Sequence, residues 1–177
     1  MFCNQCQETL NVKGCTKNGV CGKKGEVADL QDRLLYVLKS ISFFDLKARE
    51  YDLNEEATDR FVLDGFFATL TNTNFDKKAI ESYIKKGFEI RDSIKAKLPP
   101  GMLPSEKDLP AVATVTPDNI ESMDVAVHST QDEDIRSLRE LLTYGLKGLA
   151  AYAHHAYILG YRNEAIYRKR TGFDYGR

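Results

Sequence analysis

The sequence predicts an all-α, multihelical protein: helical bundles carrying an irregular N-terminal loop. Three observations lead to it. Apolar residues recur at three- and four-residue intervals over long stretches between Glu26 and Tyr167, as one face of an α-helix requires. All five prolines fall between Pro99 and Pro117, so the chain is interrupted between two helical parts. All four cysteines lie within the first 21 residues, in a glycine-rich stretch that lacks such periodicity.

The elements follow in order. Residues up to about Gly25 hold Gly14, Gly19, Gly22 and Gly25 and read as an irregular loop folded around something, because glycine lets a backbone turn back and approach a bulky group closely. From Glu26, the positions Val27, Leu30, Leu34, Val37, Leu38, Ile41 and Phe44 define a helix running to about Arg49, with Glu26, Asp29 and Asp32 at the positive end of its dipole. Phe61, Val62, Phe66, Phe67 and Leu70 predict a second helix over Thr58–Leu70. The Thr71–Asn74 segment breaks it, and Asn74 or Asp76 caps a third helix carrying Ile80, Ile84, Phe88, Ile90 and Ile94. Short connections make these three an antiparallel bundle. In the proline-rich stretch Ala111–Val115 reads as a short extended segment. Helical pattern resumes at Thr130, which with Glu133 fits a capping box, and Ile135, Leu138, Leu142, Leu146, Leu149 and Ala153 form an apolar stripe ending at Gly160. A further helical turn is expected from Asn163 to about Tyr167, then a frayed end from Arg168. The organisation expected is a loop over residues 1–25, a three-helix bundle over 26–98, a proline-rich connector over 99–129 and a second, incomplete helical part over 130–177.

Composition narrows the function. In 177 residues, 25 Lys and Arg stand against 26 Asp and Glu, a net charge of −1 that offers no general attraction for nucleic acid or an anionic membrane. No apolar run is long enough to span a bilayer, and the N-terminus lacks the features of a signal peptide, so a cytoplasmic location is expected. In that reducing compartment clustered thiols point to a metal site or a redox device before disulfides.

The spacing is Cys3-x2-Cys6-x8-Cys15-x5-Cys21. Structural zinc favours paired short knuckles, and only the first pair here is one. Iron-sulfur clusters are held by four cysteines at more varied separations that commonly begin with C-x2-C, which favours iron, although neither ferredoxin spacing is matched. Lys13, Lys17, Lys23 and Lys24 against Glu8 alone make the loop locally basic, which suits an anionic centre. Zinc and disulfides stay open on spacing and charge alone.

The residues around the cysteines add a resemblance. Met1-Phe2-Cys3-Asn4-Gln5-Cys6-Gln7-Glu8-Thr9, Gly14-Cys15-Thr16, Gly19-Val20-Cys21-Gly22-Lys23 and Ala28-Asp29-Leu30-Gln31-Asp32 closely resemble the N-terminus of the hybrid-cluster proteins, also called prismane proteins or hydroxylamine reductases. The likeness continues through Phe61–Asn72, Asp132–Leu142 and Gly145–Ala153 and covers about residues 1–167. It implies an all-helical N-terminal domain and, with this shorter spacing, one [4Fe-4S] cluster ligated by Cys3, Cys6, Cys15 and Cys21. It also implies an electron relay from a donor redox protein toward the family's second, hybrid cluster, which reduces hydroxylamine or nitric oxide. That second site uses later cysteines with a histidine and glutamates. No cysteine follows Cys21 in this sequence, so no hybrid-cluster ligand is transferred and no catalytic residue is assigned. The expected partners are an electron-donor protein and the family's C-terminal domains, with an oligomer allowed and neither nucleic acid nor membrane involved. The competing reading is a helical interaction module whose four thiolates hold zinc or a purely structural cluster.

Other candidates read as structural. His128, His154 and His155 are the only histidines, and adjacent helical residues diverge by about 100°, so His154 and His155 are poorly placed to share an ion. Phe43-Phe44 and Phe66-Phe67 read as core, and Asp132-Glu133-Asp134 as a helix N-terminus.

Overall fold

The computed structural model of the chain describes residues 1–6 and 13–171. The helices are α1 (Gly25–Arg49), α2 (Glu56–Ala68), α3 (Lys77–Lys97), α4 (Ala111–Thr114), α5 (Glu133–Ile158) and α6 (Glu164–Thr171), and the described residues contain no strand. The all-α class is as predicted. None of these helices is long and apolar enough to cross a membrane.

The central element is α1. Its Leu34, Val37, Leu38, Ile41 and Phe44 are fully buried, α3 and α2 lie along it, and α5 covers α2. Two glycines permit the close approach. A Cβ on Gly87 of α3 would lie 2.6 Å from Val37 Cγ1, and one on Gly65 of α2 would lie 2.8 Å from Leu38 Cδ2. Valine is stiff at χ1, whereas a leucine terminus can swing aside. Gly87→Ala is therefore expected to cost about 1–3 kcal/mol and more than Gly65→Ala, measured as a difference in urea midpoints. Equal stabilities would show that α3 backs away freely.

Asp76 caps α3, its carboxylate accepting from the backbone N–H of Lys78 and Ala79 at 2.9 and 3.3 Å. Four expectations are corrected. Ala111–Thr114 is a helical turn that follows Pro110, and not an extended segment; a short apolar run carries no period to separate the two, and the fixed φ of proline suits the lead into a turn. At α5 the cap is Asp132, whose carboxylate accepts from Ile135 N–H at 2.9 Å, while the Thr130 hydroxyl accepts from Arg139 at 2.9 Å. An aspartate caps as well as threonine and adds a charge favourable to the helix dipole. The stripe on α5 is buried at Leu146 and Ala153 but exposed at Ile135, Leu138 and Leu142, because the face turned to α2 is that of Thr143, Leu146, Ala150 and Ala153. Gly160, with φ of +84°, ends the helix as expected. The last helix runs to Thr171 past the end expected at Arg168, since lysine and arginine are good helix formers without any apolar pattern; residues 172–177 of the expected frayed end lie outside the described residues.

An ion-pair lock joins α1, α2 and the start of α6. Asp59 is fully buried and receives the guanidinium groups of Arg49 and, at 3.1 Å, Arg162; Arg49 also donates to Asp45 at 2.8 Å.

Candidate metal centre

The cysteine loop lies across α1, the α2–α3 turn and α5. Cys3 N–H donates to the Cys15 carbonyl at 3.0 Å and Cys15 N–H to the Cys3 carbonyl at 2.8 Å, a mutual pair of the antiparallel kind. Residues opposed in this way project their side chains to the same side, so the two sulfurs share a face. Gly14 makes room for Phe2, whose ring a Cβ there would meet at 2.4 Å; that ring stands edge-on to His128, with centroids 4.2 Å apart. Further along, Gly19 N–H donates to the Lys23 carbonyl at 2.7 Å and Gly22, with φ of +89°, closes the turn on Gly19. A Cβ on Gly19 would lie 3.0 Å from Cys21 Sγ, so this sulfur folds back over the turn.

Three anchors hold the first cysteine pair. Tyr144 of α5 donates to Asn4 Oδ1 at 2.5 Å, Thr71 donates to the Gln5 carbonyl at 3.3 Å, and the amino terminus lies 3.3 Å from Asp29. Cys15 is buried, Cys3 and Cys6 are half-buried and Cys21 is exposed. The structure thus brings Cys3 and Cys15 together, and among the described residues no three cysteine, histidine or carboxylate side chains gather closely enough to hold a single metal ion. Residues 7–9 of the family-like stretch lie outside the described residues.

The ground beneath the loop is where the charge is unusual. Lys23 and Lys147 are each only 2% exposed. Lys23 donates to Gln31 Oε1 at 2.7 Å, and Lys147 to the carbonyl of Thr69 at 3.1 Å. Both acceptors are neutral, and among the described residues neither ammonium has a carboxylate within ion-pair distance. Buried cations are ordinarily paired. Burial, then the positive charge of Lys23, pushes Lys147 down to about 8, while Asp32, Glu140 and Cys3 pull it the other way. Burial also raises Tyr144 and Glu140. Four thiols on a loop beside buried positive charge form a donor set that fits a thiolate-bound, anionic metal group. Sequence reasoning reached Lys23 as one loop cation among four and missed Lys147. The one signal for it was a lysine on the apolar face of α5, four residues after Thr143 and three before Ala150.

Asp32 belongs to the same region. Its Oδ2 is buried without a hydrogen-bond partner among the described residues, and burial raises its carboxyl from the ordinary 3.8 to about 7 against the opposing pull of Lys147. A raised folded pKa means that its contribution to stability is complete below about pH 3.8 and is lost as pH rises to about 7. Asp32→Asn is expected to gain stability over wild type between pH 4 and pH 8, by up to about 4 kcal/mol. Parallel stability curves from urea titrations across this range would contradict the protonated carboxyl.

The remaining sequence candidates have structural places. His154 Nδ1 lies 2.8 Å from Asp64 Oδ1 and its ring stacks on Phe67, joining α5 to α2, whereas His155 is exposed. Phe44 and Phe66 belong to the core.

A sequence model of the Prismane/CO dehydrogenase family matches residues 1–171. The chain belongs to this family. Among its relatives are proteins named hydroxylamine reductase. That of Methanosarcina mazei is 81% identical over 168 residues, and the match covers 95% of this chain and 31% of the relative. That of Thermoanaerobacter pseudethanolicus is 51% identical over 172 residues, with 95% and 31% covered. That of Clostridium novyi is 49% identical over 172 residues, with 94% and 31% covered. This Prismane-family chain therefore spans about a third of the length of the curated relatives it matches.

Proposed function

We propose that Cys3, Cys6, Cys15 and Cys21 ligate one [4Fe-4S] cluster and that these 177 residues are the N-terminal electron-transfer part of a hydroxylamine-reductase-type protein. The observation that carries the reading is the four-cysteine loop seated beside Lys23 and Lys147, both buried and neither in an ion pair among the described residues. When bound, such a cluster supplies one-electron transfer. The chain's own residues do the rest. The mutual Cys3–Cys15 backbone pairing fixes two ligands on one face, and the Tyr144–Asn4 and Thr71–Gln5 hydrogen bonds hold the first pair against α5 and the α2–α3 turn. Cys21 and Val20 are exposed, which gives an electron-donor protein an approach to the edge of the loop.

The rest of the whole protein has a place to dock. Ile135, Leu138 and Leu142 stand exposed along α5 at intervals of three and four residues, half-buried Leu149 follows seven residues on, and exposed Tyr152 three after that. Such a stripe suits another helix packed along it. In the proposed whole protein the domains that make up the other two thirds of the relatives cover this face. Residues 26–98 are then a finished bundle, 99–129 a connector, and 130–171 part of a helical unit completed by those domains in a cytoplasmic enzyme.

Two tests follow. Visible absorbance of anaerobically isolated protein is expected to bleach with dithionite and recover on reoxidation; a spectrum that ignores dithionite rules out the relay. These 177 residues alone are expected to give no hydroxylamine reduction with reduced viologen, since no cysteine after Cys21 is available for a second cluster. Sustained turnover would place an active site in this chain.

A further inference from the structure

Two buried ammonium groups that form no ion pair among the described residues call for an explanation. Each carries three protons and, among the described residues, donates to a neutral oxygen, Lys23 to Gln31 and Lys147 to the carbonyl of Thr69. They repel one another, and Asp32, an acidic group that acts on both, forms an ion pair with neither among the described residues. Both residues lie beside the cysteine loop or within it. Lys23 lies two residues from Cys21 and its carbonyl accepts from Gly19, against whose Cα the Cys21 sulfur packs. Lys147 lies one helical turn from Tyr144, which holds Asn4 between Cys3 and Cys6, and Cys3 acts on it electrostatically. One cation comes from the loop and the other from α5, so they bracket the loop from two elements.

We propose that Lys23 and Lys147 are the fixed counter-cations of the four-cysteine centre and that they set its reduction potential. The inference rests on the iron-sulfur reading above. Uptake of one electron, supplied by dithionite in the test below, adds a negative charge to a group that already carries four thiolates. A buried ammonium nearby favours the more negative state, and low local dielectric makes that preference larger than it would be in water. Neither lysine touches reacting atoms. Both are positioning residues that act through the field at the loop, and α5 thereby takes part in the electron-transfer site as well as in the packing against α2.

The experiment is an anaerobic redox titration, followed by visible absorbance, of wild type, Lys147→Met, Lys147→Arg and Lys23→Met, each with iron and sulfide counted. Lys147→Met is expected to keep its cluster with a potential lower by at least tenfold in the one-electron equilibrium constant, about 59 mV. Lys23→Met shifts in the same direction, and Lys147→Arg, which keeps the charge, stays within about threefold of wild type. An unshifted potential in Lys147→Met, or an equal shift in Lys147→Arg, overturns the inference, because a packing role would treat both replacements alike. Should Lys147→Met lose the cluster while keeping its helical circular dichroism, Lys147→Arg is expected to retain it, and loss in both overturns the inference. Wild type without iron and sulfide would instead overturn the proposed function, so the two failures are distinct.

Discussion

Cys15→Ala is expected to abolish the intact cluster. Among the four cysteines Cys15 is the buried one, and its backbone is tied in both directions to that of Cys3. Alanine leaves those backbone hydrogen bonds available, so the substitution removes the sulfur and little else. No spare thiol exists, since the sequence holds only four cysteines. A cluster short of one ligand loses iron, and metal binding at such loops is coupled to their folding. The measurement is iron and acid-labile sulfide per chain after anaerobic reconstitution, with circular dichroism to establish that the helices persist. Full iron and sulfide in Cys15→Ala would refute the ligand assignment.

The largest expected loss of stability is that of Asp59→Ala, about 3–5 kcal/mol. Asp59 is fully buried on α2 and neutralises Arg49 of α1 and Arg162 just before α6. Its removal leaves two guanidinium groups facing one another with Asp45 as the remaining buried carboxylate beside Arg49. Breaking one partner of a buried network costs far more than the network contributes net, because the charges left behind keep their desolvation penalty. Glu50→Ala is the control. That residue pairs with Lys47 at 2.9 Å on the surface, both side chains well exposed, and its loss is expected to cost under about 1 kcal/mol. Urea denaturation of the two variants should separate them clearly. Comparable midpoints would mean that the Asp59 lock contributes nothing to the fold.

Long amphipathic helices were readable because burial imposes a period on them. The start and end of α1 fell within a residue of Glu26 and Arg49, and Asp76, one of the two caps the sequence offered, lies four residues before the first buried position of α3. Legibility failed where several residues could serve one local purpose. Thr130 and Asp132 both have capping side chains, and the helix starts from Asp132, whose charge also suits the helix dipole. Ala111–Val115 is too short to express either period. On α5, apolar residues cover more than one face, so sequence could not tell which stripe the chain buries and which it leaves exposed.

For the site, residue type and spacing along the chain were legible, and spatial pairing was not. The four cysteines announce themselves by clustering, yet the register that sets Cys3 opposite Cys15 depends on how the loop crosses itself. Lys147 is separated from Cys21 by most of the chain and looks, in sequence, like a charged interruption of an apolar face. Its burial beside the loop exists only once α5 has docked. The same holds for Gln31, an ordinary helical residue until it is seen to hold the Lys23 ammonium.

The central claim is that the four-cysteine loop holds an iron-sulfur cluster, and metal and sulfide analysis of anaerobically purified wild-type protein tests it most directly. The expected result is brown protein that bleaches with dithionite and contains about four iron and about four sulfide per chain. Colourless protein containing about one zinc and no sulfide would contradict it.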